Sequence, residues 1–470
     1  MSQLLAGTGR SDITPAPGTP QGGWGAQTHQ RGLGADMPML ATALVLSDTR
    51  ETLAIVDVDA IGFDKEWTGR ILAAISGASG LPLNRIRFSC THTHSGPNTF
   101  RLNNISEGLE MALAYLESLP MRIAGAVWQA RQNMQPVRVA ASSGRSEINV
   151  NRRFQVPGGG MAVGRNWNGV ADPTVRVVRL EALDESPVAT LVHYSCHPTT
   201  MAWQNQLFTP DYPGMCRQVV EREAGGTCLF LQGAPGNVTP RRGFTGDPRV
   251  YRRLGSLLGL EAARVALGIE TLPRREKYLG VLQSGAAIAL YEDQPVEPRP
   301  PVLRMETRFL RMPLRSFDAP GELLGEVKTL ERELDRLRCE HDEAGIRETT
   351  ARLTQTSWRA NMARLYHGQD SIDWQMQAIR IGDIALLSVE GEPFAEIGLR
   401  IAAASPFPHT LFSGYSNGGF GYIPTREAFA EGGYEVTNGS PFSPDAADVV
   451  VEEGLGMLKG LAESQEERTQ

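Results

Sequence analysis

Short apolar runs alternate with amphipathic stretches from the N-terminus to about residue 315. Met39–Ser47 and Leu53–Asp59, rich in Val, Ile, Leu and Ala, read as buried strands. Helical spacing follows over Lys65–Ser76, and Arg85–Cys90 is the next strand. Ser106 is placed to cap an Ala/Leu-rich helical stretch that Pro120 interrupts. Val175–Leu183 and Val188–Cys196 pattern as a strand pair across the turn-forming Asp184-Glu185-Ser186. A helix near Gly214–Glu223, the strand Cys228–Gln232 and a helix near Pro248–Leu267 complete this part. Strands resume at Met376–Ile381 and Ile384–Val389. Such alternation argues an α/β fold. The expected architecture is a layered sandwich of mixed β-sheets flanked by helices.

Between about 321 and 366 the pattern changes. Gly321–Thr354 is dense in Glu, Arg, Lys and Leu, with Leu323, Leu324, Val327, Leu330 and Leu334 at helical spacing. That reads as an inserted, solvated helical hairpin breaking near Gly345. No repeat, low-complexity tract or linker divides residues 1–470, so one domain without a C-terminal accessory domain is expected.

Composition narrows the classes. Hydrophobic residues make up 41% and charged residues 21%, ordinary for a globular protein. A net charge of -7 disfavours nucleic-acid partners and docking on anionic lipid. No apolar run is long enough to span a bilayer, so no membrane anchor is expected. Five cysteines without framework spacing, and an N-terminus lacking signal-peptide features, suggest a reducing, cytoplasmic setting. Asn104-Ile-Ser and Asn438-Gly-Ser match the glycosylation pattern and are read as chance. The sequence says nothing of oligomeric state.

Only eight histidines occur, and their placement carries information. Cys90-Thr-His92-Thr-His94-Ser-Gly-Pro97 follows an apolar strand, and residues i and i+2 of extended backbone face one side. His197 ends another apolar strand before Pro198, whereas His193, inside that strand, suits a core role. Glu392, in Glu390-Gly-Glu392-Pro393, follows a third apolar run, with a helix expected to begin at Pro393. Two imidazoles and one carboxylate suit a catalytic zinc that keeps an open position. Gly233-Ala-Pro-Gly236-Asn237-Val-Thr239-Pro240 is a tight loop able to approach a ligand. Gly414-Tyr-Ser416-Asn-Gly418 fits a serine-nucleophile elbow. No helix follows it and the last histidine, His409, precedes it, both against a serine hydrolase.

Taken in order, these residues resemble the catalytic domain of the neutral (alkaline, non-lysosomal) ceramidases. The resemblance runs from Gly7-Thr-Gly-Arg-Ser-Asp-Ile-Thr-Pro15 to about Tyr434. Its most specific pieces are His92-Thr-His94-Ser-Gly-Pro97, Asn151-Arg152, His197-Pro-Thr-Thr-Met201, Gly391-Glu392-Pro393 and Gly421-Tyr422-Ile-Pro-Thr. The resemblance implies that His92, His197, Glu392 and Tyr422 hold one zinc ion per chain. It implies a proton-transfer role for His94, a contact from Arg152 to the substrate's polar head, and oxyanion stabilisation by Tyr434. The implied reaction is hydrolysis of a carboxamide (N-acyl) bond by zinc-bound hydroxide. Alternatives are a zinc hydrolase of an ester, lactone or peptide bond, or a non-catalytic metal-binding relative. The expected partner is a small N-acyl or amide substrate, soluble rather than held in a bilayer. One departure from the family pattern is Asn237 and Thr239, where the family carries Asp and Ser.

Overall fold

The computed structural model describes residues 3–27, 29–100, 102 and 105–463; Asn104 lies outside them. Two β-sheets face one another, each backed by helices. The larger has eight strands, in spatial order Thr227–Gln232, Pro187–Tyr194, Thr174–Ala182, Gln135–Arg145, Leu4–Asp12, Leu40–Asp48, Thr52–Val58 and Ile86–Cys90. Its outermost pairs are parallel and its inner pairs antiparallel. The smaller sheet orders Leu303–Pro313, Ser371–Ile381, Ile384–Val389 and His409–Ser413, the last pair parallel.

Strand periodicity builds the layers, because alternate side chains point to opposite faces. Leu44, Leu46, Leu53, Ile55, Leu191 and Leu229 face the smaller sheet, meeting Ile379, Ile381, Ile384 and Leu386. The intervening Ala43, Val45, Ala54 and Val56 face the helices Lys65–Ser79 and Leu109–Gln132. On the same side, Val192, Tyr194 and Phe230 meet Tyr212–Ala224 and Pro248–Leu267. Behind the smaller sheet, Met376, Ala378 and Leu387 pack on Ala395–Ala404 and Ala446–Glu463. The result is the expected layered α/β sandwich. Among the described residues no helix is long and apolar enough to cross a membrane.

Several boundaries differ from the sequence reading. Leu109–Gln132 is one helix despite Pro120, and Gly108, not Ser106, precedes it. Burial of Leu116, Leu119, Ile123 and Val127 against the sheet outweighs the ~3 kcal/mol that a lost backbone hydrogen bond costs. The inserted hairpin, Gly321–Glu340 and Glu343–Tyr366, turns at His341-Asp342 rather than Gly345. Asp342 accepts from Gly345 N at 3.0 Å, so Gly345 lies in the first turn of the second helix. Pro393 does not start a helix. Glu392-Pro393 instead forms a short parallel bridge to Tyr422-Ile423, and the helix begins at Ala395.

All the strands that feed the site end on one side. Ile86–Cys90, Pro187–Tyr194, Thr227–Gln232, Ile384–Val389 and His409–Ser413 run into the loops carrying His92, His197, Asn237, Glu392 and Tyr415. The larger sheet curls so that its two edges approach there. Gln232 Nε2, from one edge, donates to Thr91 O beyond the other at 3.0 Å and to Cys196 O at 2.9 Å.

Candidate metal centre and active site

His92 sits two residues past its strand with φ at 66°, in the left-handed region. Its amide donates to Ala60 O at 2.9 Å and its Nδ1 lies 2.6 Å from Ile61 O. His197 is held alike, with its amide on Val238 O at 3.1 Å and Nδ1 2.6 Å from Pro235 O. The Nδ1 of His94 meets Gly23 O at 3.0 Å. A carbonyl can only accept, so each Nδ1 carries the hydrogen and each Nε2 presents a lone pair. Those three ring nitrogens converge within 4.8 Å of one another. Glu392 Oε2 joins them, 3.2 Å from His197 Nε2 and 3.5 Å from His92 Nε2.

Burial is the main cause pushing the pKa of His92 and of His197 well below the ordinary value, so both rings stay neutral. Neutral imidazoles with their protons on the far nitrogen, beside a carboxylate, form the donor set that suits zinc. The residues therefore fit a metal. His94 is the more exposed of the three, and its Nε2 lies 3.4 Å from that of His92. Geometry thus brings His94 into the same cluster as the histidines inferred to be ligands.

Tyr422 is buried, with its ring 6.4 Å from that of His197. The Arg152 guanidinium lies over its ring, with Cζ 5.2 Å from the ring centroid. A second tyrosine, which sequence reasoning does not place here, makes the direct polar contacts. Tyr415 Oη lies 3.3 Å from Glu392 Oε2 and 3.4 Å from His197 Nε2, and its ring stacks on His92 at 4.0 Å. Tyr415 also adopts a positive φ of 54°. Two stacked non-glycine residues in left-handed conformations mark backbone strain of order 1–3 kcal/mol each, held by the packing around the site. Burial pushes both phenols well above their ordinary pKa.

Arg152 and Arg153 lie on the strand Asn149–Gln155 and clamp Glu435 between them, Arg152 Nε at 2.8 Å and Arg153 Nη1 at 3.1 Å. Burial opposes the charge on Arg152, but Tyr422 and Glu435 outweigh it and raise its pKa. Its Nη2 is buried without a hydrogen-bond partner, a donor turned to no protein acceptor. Tyr434 precedes Glu435, with its ring 5.6 Å from Tyr422 and 5.5 Å from Trp358 of the inserted hairpin. On the opposite side Trp24 packs against His94 at 5.1 Å and Phe244 at 5.5 Å. Glu435 escaped the sequence reading, because adjacent arginines of a regular strand face opposite sides and only the register shift between Asn151 and Arg153 lets both reach one carboxylate.

Asn237 stands behind this wall. Its Oδ1 accepts from Ala395 N at 2.9 Å, its Nδ2 donates to Glu396 Oε2 at 2.8 Å, and its carbonyl accepts from Arg152 N at 2.8 Å. Thr239 Oγ1 pairs with Thr199 Oγ1 at 3.0 Å. Ser416 hydrogen-bonds Gly414 O within its own loop, and residues 417–421 form no helix. His193 lies in the core, its Nε2 2.7 Å from Phe412 O.

With this geometry in view, the profile of the family described as neutral/alkaline non-lysosomal ceramidase, N-terminal, matches residues 4–241, half of the chain. The chain belongs to that ceramidase family. The matched stretch includes His92, His94, Arg152, His197 and Asn237, while Glu392, Tyr422 and Tyr434 lie beyond it. The neutral ceramidase of Pseudomonas aeruginosa is 23% identical over 392 residues, covering 75% of this chain and 56% of that protein. Neutral ceramidase A of Dictyostelium discoideum is 26% identical over 282 residues, 53% of this chain and 38% of that protein. The chain therefore spans about half the length of these ceramidases, or less. In fold it resembles the crystal structure of the P. aeruginosa neutral ceramidase, with TM-score 0.68, 18% identity, and coverage of 99% of this chain and 75% of that one.

Proposed function

We propose that this chain is a zinc-dependent hydrolase of carboxamide (N-acyl) bonds. The observation that carries the reading is the convergence of the His92 and His197 Nε2 atoms with the Glu392 carboxylate, each Nδ1 tied to a backbone carbonyl. His92, His197 and Glu392 would hold the ion, with Tyr422 the fourth ligand implied by resemblance to the ceramidases. Zinc so bound supplies a Lewis acid for the amide carbonyl and acidifies water towards neutrality.

The chain's own groups account for the rest. Arg152 Nη2, buried with no acceptor, offers a hydrogen bond to an oxygen of the substrate's head. His94 lies at the edge of the cluster, where its ring can hand a proton to a departing amine nitrogen. Tyr434 supplies a phenolic donor to charge developing on the carbonyl oxygen. Tyr415, hydrogen-bonded to Glu392, fixes the direction of that carboxylate.

The substrate we propose is a single-chain N-acyl compound or a smaller amide. The helix Glu343–Tyr366 supports that choice, since Trp358 packs on Tyr434 and the Thr354 methyl lies 3.7 Å from where a Cβ on Gly25 would stand. It thereby confines the space between the Trp24 loop and Tyr434. Five unpaired cysteines, four of them buried, favour a cytoplasmic, reducing setting. The test is metal analysis together with turnover of N-acyl amines and N-acyl amino acids, compared with long-chain ceramide in vesicles. We expect close to one zinc per chain, chelator-sensitive amide hydrolysis and preference for the soluble substrates. Undiminished activity after the metal is stripped would remove the proposal, and a tenfold preference for ceramide would replace the substrate.

A further inference from the structure

Tyr415 is not among the residues on which the ceramidase resemblance rests, yet its phenol oxygen stands among the inferred metal-binding atoms. It lies 3.3 Å from Glu392 Oε2 and 3.4 Å from His197 Nε2. Those two atoms are 3.2 Å apart, and His92 Nε2 stands 3.5 Å from the same carboxylate oxygen. Donors held tetrahedrally around one zinc at ~2.0–2.1 Å are ~3.3–3.4 Å from one another. The separations made by Tyr415 Oη are therefore those of a ligand. They are long for a phenol donating to a carboxylate, where ~2.5–2.7 Å is usual.

Main-chain contacts hold that oxygen in place. Tyr415 N donates to Gly391 O at 2.9 Å, and its carbonyl accepts from Cys90 N at 3.2 Å. Gly391 precedes Glu392, and Cys90 lies two residues before His92. Gly414 N donates to Gly233 O at 2.8 Å, in the loop whose Pro235 and Val238 carbonyls fix His197 Nδ1. The Gly414-Tyr415 pair is thus tied to all three loops that carry the inferred ligands. A positive φ of 54° lets the Tyr415 ring stack on His92 at 4.0 Å. Tyr422 is placed differently. Its ring lies 6.4 Å from that of His197 and 5.6 Å from that of Tyr434, with the Arg152 guanidinium over its face.

Building on the zinc hydrolase proposed above, we propose that Tyr415 is the phenol that binds the ion, in the position that resemblance gives to Tyr422. On loading, the phenol releases its proton to solvent and its oxygen lone pair joins the ion. Tyr422 then belongs with Arg152 and Tyr434 beside the metal rather than on it.

Zinc is d¹⁰ and gives no signal of its own, so the test replaces it. Imidazole donors also suit copper(II), and a phenolate bound to copper(II) absorbs in the visible by charge transfer. The full chain, stripped of metal and loaded with copper(II), should hold one copper by metal analysis and show that band. Copper-loaded Tyr415→Phe should lose the band, whereas Tyr422→Phe should keep it. Should Tyr415→Phe fail to fold, Tyr422→Phe decides alone: a band kept there supports Tyr415, and a band lost there overturns it. A band that survives Tyr415→Phe also overturns the assignment. So does a copper-loaded wild type without the band, and each of these leaves the metal centre itself standing. A wild-type chain that binds neither zinc nor copper removes the metal centre, and this assignment with it.

Discussion

Replacing Asn237 by Asp, the residue that the resemblance to the ceramidases implies at this position, should destabilise this chain. The wild-type amide works in two directions, accepting from Ala395 N at 2.9 Å and donating to Glu396 Oε2 at 2.8 Å. In Asn237→Asp the acceptor survives and gains charge at the start of the helix Ala395–Ala404, worth ~0.3–1 kcal/mol. The donor is lost. A hydrogen bond to a charged group contributes ~1.5–3 kcal/mol, and a second carboxylate now faces Glu396 across the same gap. Burial already raises the Glu396 pKa above its ordinary value. The two carboxylates would share a proton, which raises the pair's folded pKa further. A raised carboxyl pKa means that the folded state binds a proton the unfolded chain has lost, so stability falls as pH rises through it. The expected deficit is ~2–3 kcal/mol at pH 8, shrinking to under ~1 kcal/mol near pH 5, where the shared proton restores a hydrogen bond. Urea denaturation of both proteins at the two pH values measures it. An Asn237→Asp protein equal to wild type at pH 8, or one whose deficit ignores pH, would refute the reasoning.

Asp57 gives a second pH test: burial, ahead of the opposing pull of Arg217, raises its pKa to about 8. Wild type should lose stability between about pH 4 and 8, and Asp57→Asn should exceed it by ~2 kcal/mol or more at pH 8.5 but not at pH 5, again read from denaturation midpoints. His197→Ala should lose most bound zinc by metal analysis, and full occupancy would contradict its place as a ligand. His94→Ala and Tyr434→Phe should keep zinc yet lose roughly a hundredfold in kcat on an unactivated amide, whereas wild-type rates would cancel the roles given to them. Ser416→Ala should leave kcat/KM unchanged, and a folded, zinc-loaded but inactive variant would revive a serine nucleophile.

The ligand candidates were readable only as a set, because three apolar runs each end next to a residue able to bind a metal. His92, His197 and Glu392 each follow such a run by one to three residues, and the sheet's curl brings the three together. Tyr415 was not readable. It follows its strand through Gly414 into a left-handed turn, and a glycine-flanked loop gives no sign of which way a side chain points. Glu435 belongs to the four-residue helix Tyr434–Thr437, too short to leave a periodic pattern. The central strand Leu4–Asp12 was obscured by its glycines. Gly9 sits where a Cβ would come within 2.1 Å of Ala126 O, so close helix packing replaces the apolar alternation that marks a strand. Pro120 and Gly345 misled for a shared reason, since local propensity yields to tertiary burial in one case and to an Asp cap in the other.

The inserted helical pair touches the site through Trp358 on Tyr434, yet it enters and leaves the chain between two strands of the smaller sheet, outside the loops that carry the inferred ligands. On the proposed function, chemistry and selectivity would reside on separate stretches of polypeptide. The insertion can lengthen, shorten or change its inward residues without disturbing the strands that hold His92, His197 and Glu392. Under that proposal, chains sharing the His92/His197/Glu392 cluster could diverge in the acyl groups they accept by exchanging one surface element, and the residues facing Tyr434 and Gly25 are where such divergence would first be written.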